Sequence, residues 1–557
     1  MHLSALLLSL AQGDGAPPPL FDEVGAAVLA GATMTCGSTA KDFILEVNGG
    51  GLLVADFDAD GDEDLFLVDG STLDRFRAGE PGLPPRLHLN GGDGTFAPAG
   101  EAWEVAPGRW GMGGAVGDVD GDGRPDVAIT EWGPDRLLRN TGSGFEEITE
   151  GSGLRGRRWG TSAAFLDYDL DGALDLAVVN YLSFRLDEMM EKEQAGGCKW
   201  KGVKVMCGPE GLTPVHDLLY RGKGDGTFED VSAAAGFRPT AAGYGLGVTT
   251  MDYDVDGDTD LYVTNDSTAN HLWENRGDGK LAEVGMRRGV AHDPNGKEQA
   301  GMGIAVGDVN ADGVEDLFVT NFSGENNALY VSRRASFRDR GDVAGVGGHS
   351  MRYLGWGASM QDFDLDGQLD LAVLNGHVYP QADLPGMDTA YAQPDFLYRN
   401  VGAGRFDAEP LSTAGDTVAR ACAAADFDGD GWPDLAVVEL DGAVRLLHNR
   451  GAALLPEGEE RHWLAVRLRG RGANTAGLGA RVTVQGGGGE RASEIRTAGG
   501  FQAAVPATAY FGLGGAARAE RVVVRWPSGV EQVVEDVAAD RVLVLEEPAA
   551  QAEEEQR

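Results

Sequence analysis

The chain has 557 residues, 88 acidic against 46 basic, and a formal net charge of −42. Such a surface repels phosphate backbones and excludes nucleic acid as a partner, and 42% hydrophobic residues in short alternating runs exclude a disordered chain. The length and 85 glycines suit a repeat architecture, and no apolar stretch approaches the ~20 residues of a membrane helix.

Residues 1–18 open with MHLSALLLSLAQG, in which Leu3 to Leu10 is a short apolar run and Ser9-x-Ala11 a tolerable cleavage position, although a basic n-region is missing. This signal-like stretch favours export over a plain unstructured terminus, and so a secreted, periplasmic or cell-surface location. At 56–64 stands DFDADGDED, where Asp56, Asp58 and Asp60 alternate, Gly61 and Asp62 follow, and Asp64 closes the run. Unpaired, these carboxylates repel one another, so the stretch is either a solvated acidic loop or a cation cage.

The pattern D-x-[DN]-x-D-G-x-x-D returns six more times. DVDGDGRPD carries Asp118, Asp120, Asp122, Arg124 and Asp126; DYDLDGALD carries Asp167, Asp169, Asp171, Ala173 and Asp175. DYDVDGDTD carries Asp252, Asp254, Asp256, Asp258 and Asp260; DVNADGVED carries Asp308, Asn310, Asp312, Val314 and Asp316. DFDLDGQLD carries Asp362, Asp364, Asp366, Gln368 and Asp370; DFDGDGWPD carries Asp426, Asp428, Asp430, Trp432 and Asp434. Calcium wants six to eight oxygens, which side chains at positions 1, 3 and 5, a carbonyl at position 7 and a carboxylate at position 9 can supply. Glycine at position 6 permits the sharp turn. Up to seven Ca²⁺ ions are expected, with the Asn310 loop the least charged.

An EF-hand would end in a bidentate Glu at position 12. Here that position is Leu67, Ile129, Val178, Val263, Val319, Val373 or Val437, all aliphatic. Runs such as GGLLVA precede the loops and DLFLV-like runs follow them, so each loop joins two strands. A third strand (RLHLN, RLLRN, DLLYRG, HLWEN, ALYVS, DFLYRN, VRLLHN) and a turn-strand such as GDGTFEDVS complete six of the units. Four strands repeated seven times, at about 60 residues each, predict an all-β fold with a seven-bladed β-propeller. The seventh unit lacks a fourth strand, and PLFDEVGAAVLAG at 19–31 has the text of one. Residues around Phe21 to Val24 are therefore expected beside Val444 to His448, closing the ring and removing open edges.

The repeat FLDYDLDGALDLAVVN…LLYRGKGDGTFEDVS resembles the FG-GAP or VCBS repeats of integrin α-subunit propellers, and the order of parts resembles the cartilage acidic protein family and its bacterial relatives. NTAGLGARVTV, GGFQAAVPATAYFGLG and VVVRWPSG, within 462–547, resemble the ASPIC/UnbV domain that follows such propellers. No EGF-like module follows, and Tyr510 stands where that domain often has His. The resemblance implies a propeller over 19–455, an ASPIC/UnbV-like domain over 456–547 and an acidic tail over 548–557. Independently, HWLAVRLRG, ARVTVQG, ERVVVRWPSG and DRVLVLEE alternate and predict a small β-sandwich or barrel.

Strand parity sends the second-to-third and fourth-to-first connections to the face opposite the calcium loops. Two are long, Tyr181 to Asp217 and the segment from Asn375, and this is where a ligand is sought; equally, they could merely cover the propeller end. Cys198 and Cys207 are spaced for a disulfide, whereas Cys36 and Cys422 read as buried thiols. Paired zinc-type spacing is absent. An extracellular lyase or hydrolase acting from the same face is the alternative, but His349 and His377 stand in Gly-rich text without a nucleophile partner and read as structural. Trp110, Trp159 and Trp356 read as blade packing rather than sugar platforms. The expected function is an exported calcium-binding module that recognises a protein or glycan, its metals structural and no catalytic set present.

Overall fold

The computed structural model describes residues 18–549 apart from 30, 184, 195 and 196. The signal-like run and most of the acidic tail lie outside these residues.

Seven four-stranded antiparallel units succeed one another in a seven-bladed β-propeller. Blade one comprises Gly51–Ala55, Asp64–Val68, Arg86–Asn90 and Phe96–Pro98 from axis to rim, and the nonapeptide occupies the gap between its first two strands. The other blades repeat this order, from the Gly111–Gly117 and Asp126–Gly133 hairpin to the Gly355–Gln361 and Asp370–Asn375 hairpin. In blade seven, Ala419–Ala425, Asp434–Glu439 and Arg445–Asn449 are completed by Phe21–Glu23 from the other end of the chain. Phe21 pairs with Asn449 and Glu23 with Leu447, so the ring closes as the repeat count requires.

The small residues of the inner strands answer to crowding at the axis. A Cβ on Gly303 would lie 1.8 Å from the Trp356 carbonyl oxygen, and one on Gly113 2.6 Å from that of Thr161. Aliphatic second strands, such as Asp64–Val68, are buried throughout. In five of the seven blades the third strand ends in an Asn that ties neighbouring blades together. Its amide donates to the position-2 carbonyl of the preceding loop, as in Asn140 to Phe57 (2.8 Å), Asn275 to Tyr168 (2.8 Å) and Asn449 to Phe363 (2.8 Å). Asn90 bonds Phe427 of blade seven at 2.8 Å, across the closure.

The C-terminal region is a two-sheet sandwich. Thr508–Gly514, His462–Arg469 and Arg541–Glu546 form one sheet; Gly489–Glu494, Arg481–Gly486, Arg518–Arg525 and Glu531–Ala538 form the other. Val466, Val482, Phe511 and Val524 share the core between them, which decides for a sandwich over a closed barrel. The segment between Glu494 and Thr508 leaves the sandwich and enters the propeller axis. Ala503–Ala504 adds a parallel strand to Leu52 and Leu53, Val248 N–H donates to Gly500 O (3.2 Å), and Phe501 packs 4.9 Å from Trp356. This axial finger is the GGFQAAVPAT text, whose role the sequence did not disclose.

On the opposite face the two long connections form a cap. Leu186–Gln194 is helical, Cys198–Trp200 pairs with Val203–Val205, and a disulfide joins Cys198 to Cys207. Trp200 packs 4.7 Å from His377, and Lys201 pairs with Asp388, linking the blade-three and blade-six insertions. Trp110, Trp159 and Trp356 are buried in the core beneath. Cys36 and Cys422 are free and buried, and burial pushes the Cys36 thiol up to about 11.

Candidate metal centres at the propeller rim

All seven nonapeptides adopt one shape. The position-1 carboxylate accepts the position-6 glycine N–H in every loop, from Gly61 on Asp56 (3.1 Å) to Gly431 on Asp426 (2.9 Å). The position-5 carboxylates Asp60, Asp122, Asp171, Asp256, Asp312, Asp366 and Asp430 each accept the N–H of position 7, which is Asp62, Arg124, Ala173, Asp258, Val314, Gln368 and Trp432 in turn. Each loop also needs left-handed backbone twice. The position-6 glycines have φ between Gly313 at 82° and Gly61 at 106°, but position 4 is left-handed too, at Ala59 (63°), Leu170 (54°), Val255 (63°), Ala311 (56°) and Leu365 (56°). Side chains rarely adopt this region, and a β-branched Val there is a true outlier.

The position-9 carboxylate does more than return to a cage. Asp64 accepts from Phe57 N–H at 2.9 Å and from Asn90 N–H at 2.8 Å, fastening the loop to the third strand; Asp126, Asp175, Asp260, Asp316 and Asp434 repeat both bonds. In blade six, Asp370 keeps only the bond from Asn400 N–H (2.8 Å).

The carboxylates converge. Asp56, Asp58 and Asp64 offer oxygens within 4.8 Å of one another, as do Asp118, Asp120 and Asp122; Asp167, Asp169 and Asp175; and Asp252, Asp254 and Asp260. In blade seven, His448 joins Asp428 and Asp430, a ligand-type side chain that the nonapeptide pattern could not include because it sits on the third strand. In blades two, three and six the same strand position bears Arg. Arg139 pairs with Asp120 Oδ2 (2.9 Å), Arg221 with Asp169 Oδ2 (2.8 Å), and Arg399 with Asp364 Oδ2 (2.6 Å). In the first two, the other carboxylate oxygen, Oδ1, is buried without a hydrogen-bond partner among the described residues; so are Asn310 Oδ1, Asp370 Oδ2 and Asp426 Oδ1. Asp370 is itself only 2% exposed. Buried oxygens without partners are costly, and hard oxygen donors in this number suit calcium.

Burial, with mutual repulsion behind it, pushes these groups upward. Asp64 and Asp126 rise to about 7, Asp175 and Asp316 to about 8, and Asp167 and Asp426 to about 7. Asp362 and Asp370 stand well above the ordinary carboxylate range. His448 is raised to about 9, chiefly by its bond to Asp434. Such crowding favours a bound cation or proton over a set of bare carboxylates.

The two histidines weighed as bases are both held in side-chain hydrogen bonds, and His377 has a serine hydroxyl beside it that its Gly-rich sequence context did not reveal. His377 is fully buried, accepts Tyr379 N–H on Nδ1 (3.0 Å), lies 3.2 Å from Ser323 Oγ through Nε2, and is pushed down to about 3 by burial. His349 Nδ1 lies 3.0 Å from the Tyr398 hydroxyl. Tyr510 pairs with Ala465 inside the sandwich and faces Asp426 and Glu63, with burial raising its phenol.

A seven-bladed propeller bearing one acidic loop per blade defines the class. The FG-GAP-like repeat model matches residues 56–129, 118–178, 252–319, 308–373 and 387–437, and the ASPIC and UnbV model matches 470–552; the chain belongs to the FG-GAP-like repeat family, with a C-terminal ASPIC and UnbV domain. Cartilage acidic protein 1 of Homo sapiens is 29% identical over 306 residues, covering 54% of this chain and 43% of that protein. The Mus musculus counterpart is 28% identical over 322 residues, covering 56% and 46%. The chain thus spans less than half the length of the curated relatives it matches. Among solved structures, the BP39L lectin of Burkholderia pseudomallei aligns at TM-score 0.43 and 15% identity, over 72% of this chain and 96% of that one. An Agrocybe aegerita lectin that recognises terminal N-acetylglucosamine aligns at 0.38 and 15%, over 70% and 85%.

Proposed function

We propose that this chain is an exported, calcium-binding propeller that recognises a protein or glycan ligand, its metals structural and its ligand face opposite the calcium loops. The residues that would hold the ions are positions 1, 3, 5, 7 and 9 of the seven loops, up to one ion per blade. Bound calcium would supply charge neutralisation and oxygen coordination, nothing more. The observation that carries the recognition reading is a cavity of about 250 Å³ at the axial end of the opposite face, walled by Tyr181, Met206, Phe322, Trp356 and Tyr379. Asn48 lines it too, and its Nδ2, buried, lacks a hydrogen-bond partner among the described residues. A mostly apolar concavity with few polar groups is the usual form of a binding site, and the rigid ring holds it while the insertions shape it.

The test is binding to a glycan array and to an extracellular protein panel, with and without chelator, by the wild-type chain and by Phe322→Ala and Asn48→Asp. Loss of one defined ligand in both variants, with calcium binding intact, supports the reading. Unchanged binding in both overturns the face assignment. Turnover of a polysaccharide that disappears with His377→Ala would replace recognition by catalysis.

A further inference from the structure

The rim that carries the loops is not a free surface, because the sandwich sits on it and touches every loop. Arg467 donates to Gly61 O at 3.1 Å and pairs with Glu63 at 2.5 Å. Asn474 N–H reaches Gly172 O at 2.8 Å, and the Thr475 hydroxyl reaches Asp118 Oδ2 at 2.7 Å. Arg525 donates to Asp256 O at 2.8 Å, Arg481 to Gly313 O at 2.5 Å and Arg491 to Gly367 O at 2.8 Å. Against loop seven, Trp463 is so close that a Cβ on Gly431 would lie 1.9 Å from its Nε1.

The acceptors repeat. In loops one, three, five and six they are the carbonyl of the position-6 glycine, and in loop four that of position 5. Those carbonyls belong to the turn in which positions 4 and 6 are left-handed, and the position-6 N–H of the same turn donates to the position-1 carboxylate. One backbone shape therefore serves both a cage and a docking contact. Clustered carboxylates repel when nothing neutralises them, and a loop that opens takes its carbonyl away from the arginine that reads it.

We propose that the C-terminal sandwich is a calcium-dependent clamp. Occupancy of the loops, docking of the sandwich and insertion of the axial finger at 497–505 form one linked equilibrium. This rests on the reading of the loops as calcium sites. The finger belongs to the same unit because Arg496, at its base, pairs with Glu315 of loop five and donates to Thr250 O at 3.0 Å. Thr497, next along, donates to Val116 O at 2.8 Å, and Gln502 N–H reaches Ser162 Oγ at 2.9 Å. Linkage is reciprocal, so docking must tighten calcium by the same factor by which calcium tightens docking.

The full chain is examined by hydrogen exchange of the finger amides and by protease cleavage between 455 and 461, in calcium and after chelation, with native mass spectrometry counting bound ions. Chelation should expose both segments and calcium should restore them. Arg481→Ala/Arg491→Ala/Arg525→Ala should weaken calcium at the three loops these side chains touch by about tenfold, with Arg469→Ala, whose ion pair is with Glu546 in the sandwich, as the control. A finger that stays protected once the ions are counted out overturns the clamp, and so does unchanged calcium affinity in a folded triple variant. The exchange arm uses no substitution and decides even if that variant fails to fold. A full chain that binds no calcium removes the cage reading and the clamp together; calcium binding without any finger response removes the clamp alone.

Discussion

Val255 shows how strongly loop shape overrides residue preference. A β-branched side chain at φ 63° stores on the order of 1 kcal/mol or more, yet the surrounding Asp252 and Asp260 bonds hold it there. Val255→Gly removes the clash while loosening the unfolded chain, so a net gain of under about 1 kcal/mol is expected, read as a small rise in melting temperature. Asp135 and Asp217 lie outside the loops and carry a separate prediction. Burial raises each to about 7, against an unfolded value of about 4. A carboxyl raised on folding contributes stability that is full below about pH 4 and is lost as pH rises through 7. In calcium-saturated protein, Asp217→Asn should therefore flatten the decline in unfolding free energy between pH 5 and 8. A decline as steep as wild type would show that Asp217 does not hold its proton when folded.

Among the elements, the third strand carries more than its apolar pattern suggests. Its terminal Asn reaches the neighbouring blade, and its penultimate residue, Arg139, Arg221, Arg399 or His448, meets a position-3 carboxylate. Asn140→Ala leaves the Phe57 carbonyl without its donor and should cost about 1–3 kcal/mol, measurable by denaturant unfolding. The N-terminal strand is the other telling element. Deleting 18–24 uncovers the Arg445–Asn449 edge, and open edges recruit other chains, so the truncated protein is expected to self-associate in light scattering. A monomer of wild-type stability would mean that Phe21–Glu23 contributes nothing to closure.

For the whole molecule, the proposed calcium sites make metal removal the decisive perturbation. An ion that binds only the folded state at tenfold saturation adds about 1.4 kcal/mol, so seven independent sites add about 10 kcal/mol. Stripping them should lower the melting temperature by many degrees, and an unchanged transition would argue against structural metals. Much of this was legible from text alone. The nonapeptide, its aliphatic position 12 and the missing seventh fourth strand defined a closed ring with acidic loops on one rim, because local spacing repeated seven times leaves few other folds. The left-handed position 4 went unseen, since Ala59, Leu170 and Val255 share no residue type. The Asn staples and His448 went unseen because their partners lie on another strand or blade. Nothing local marked GGFQAAVPAT as an axial finger or set the sandwich on the loops. A sequence determines periodicity and turn chemistry, which act between near neighbours. Which surfaces meet depends on packing between segments hundreds of residues apart, and only the tertiary structure decided that.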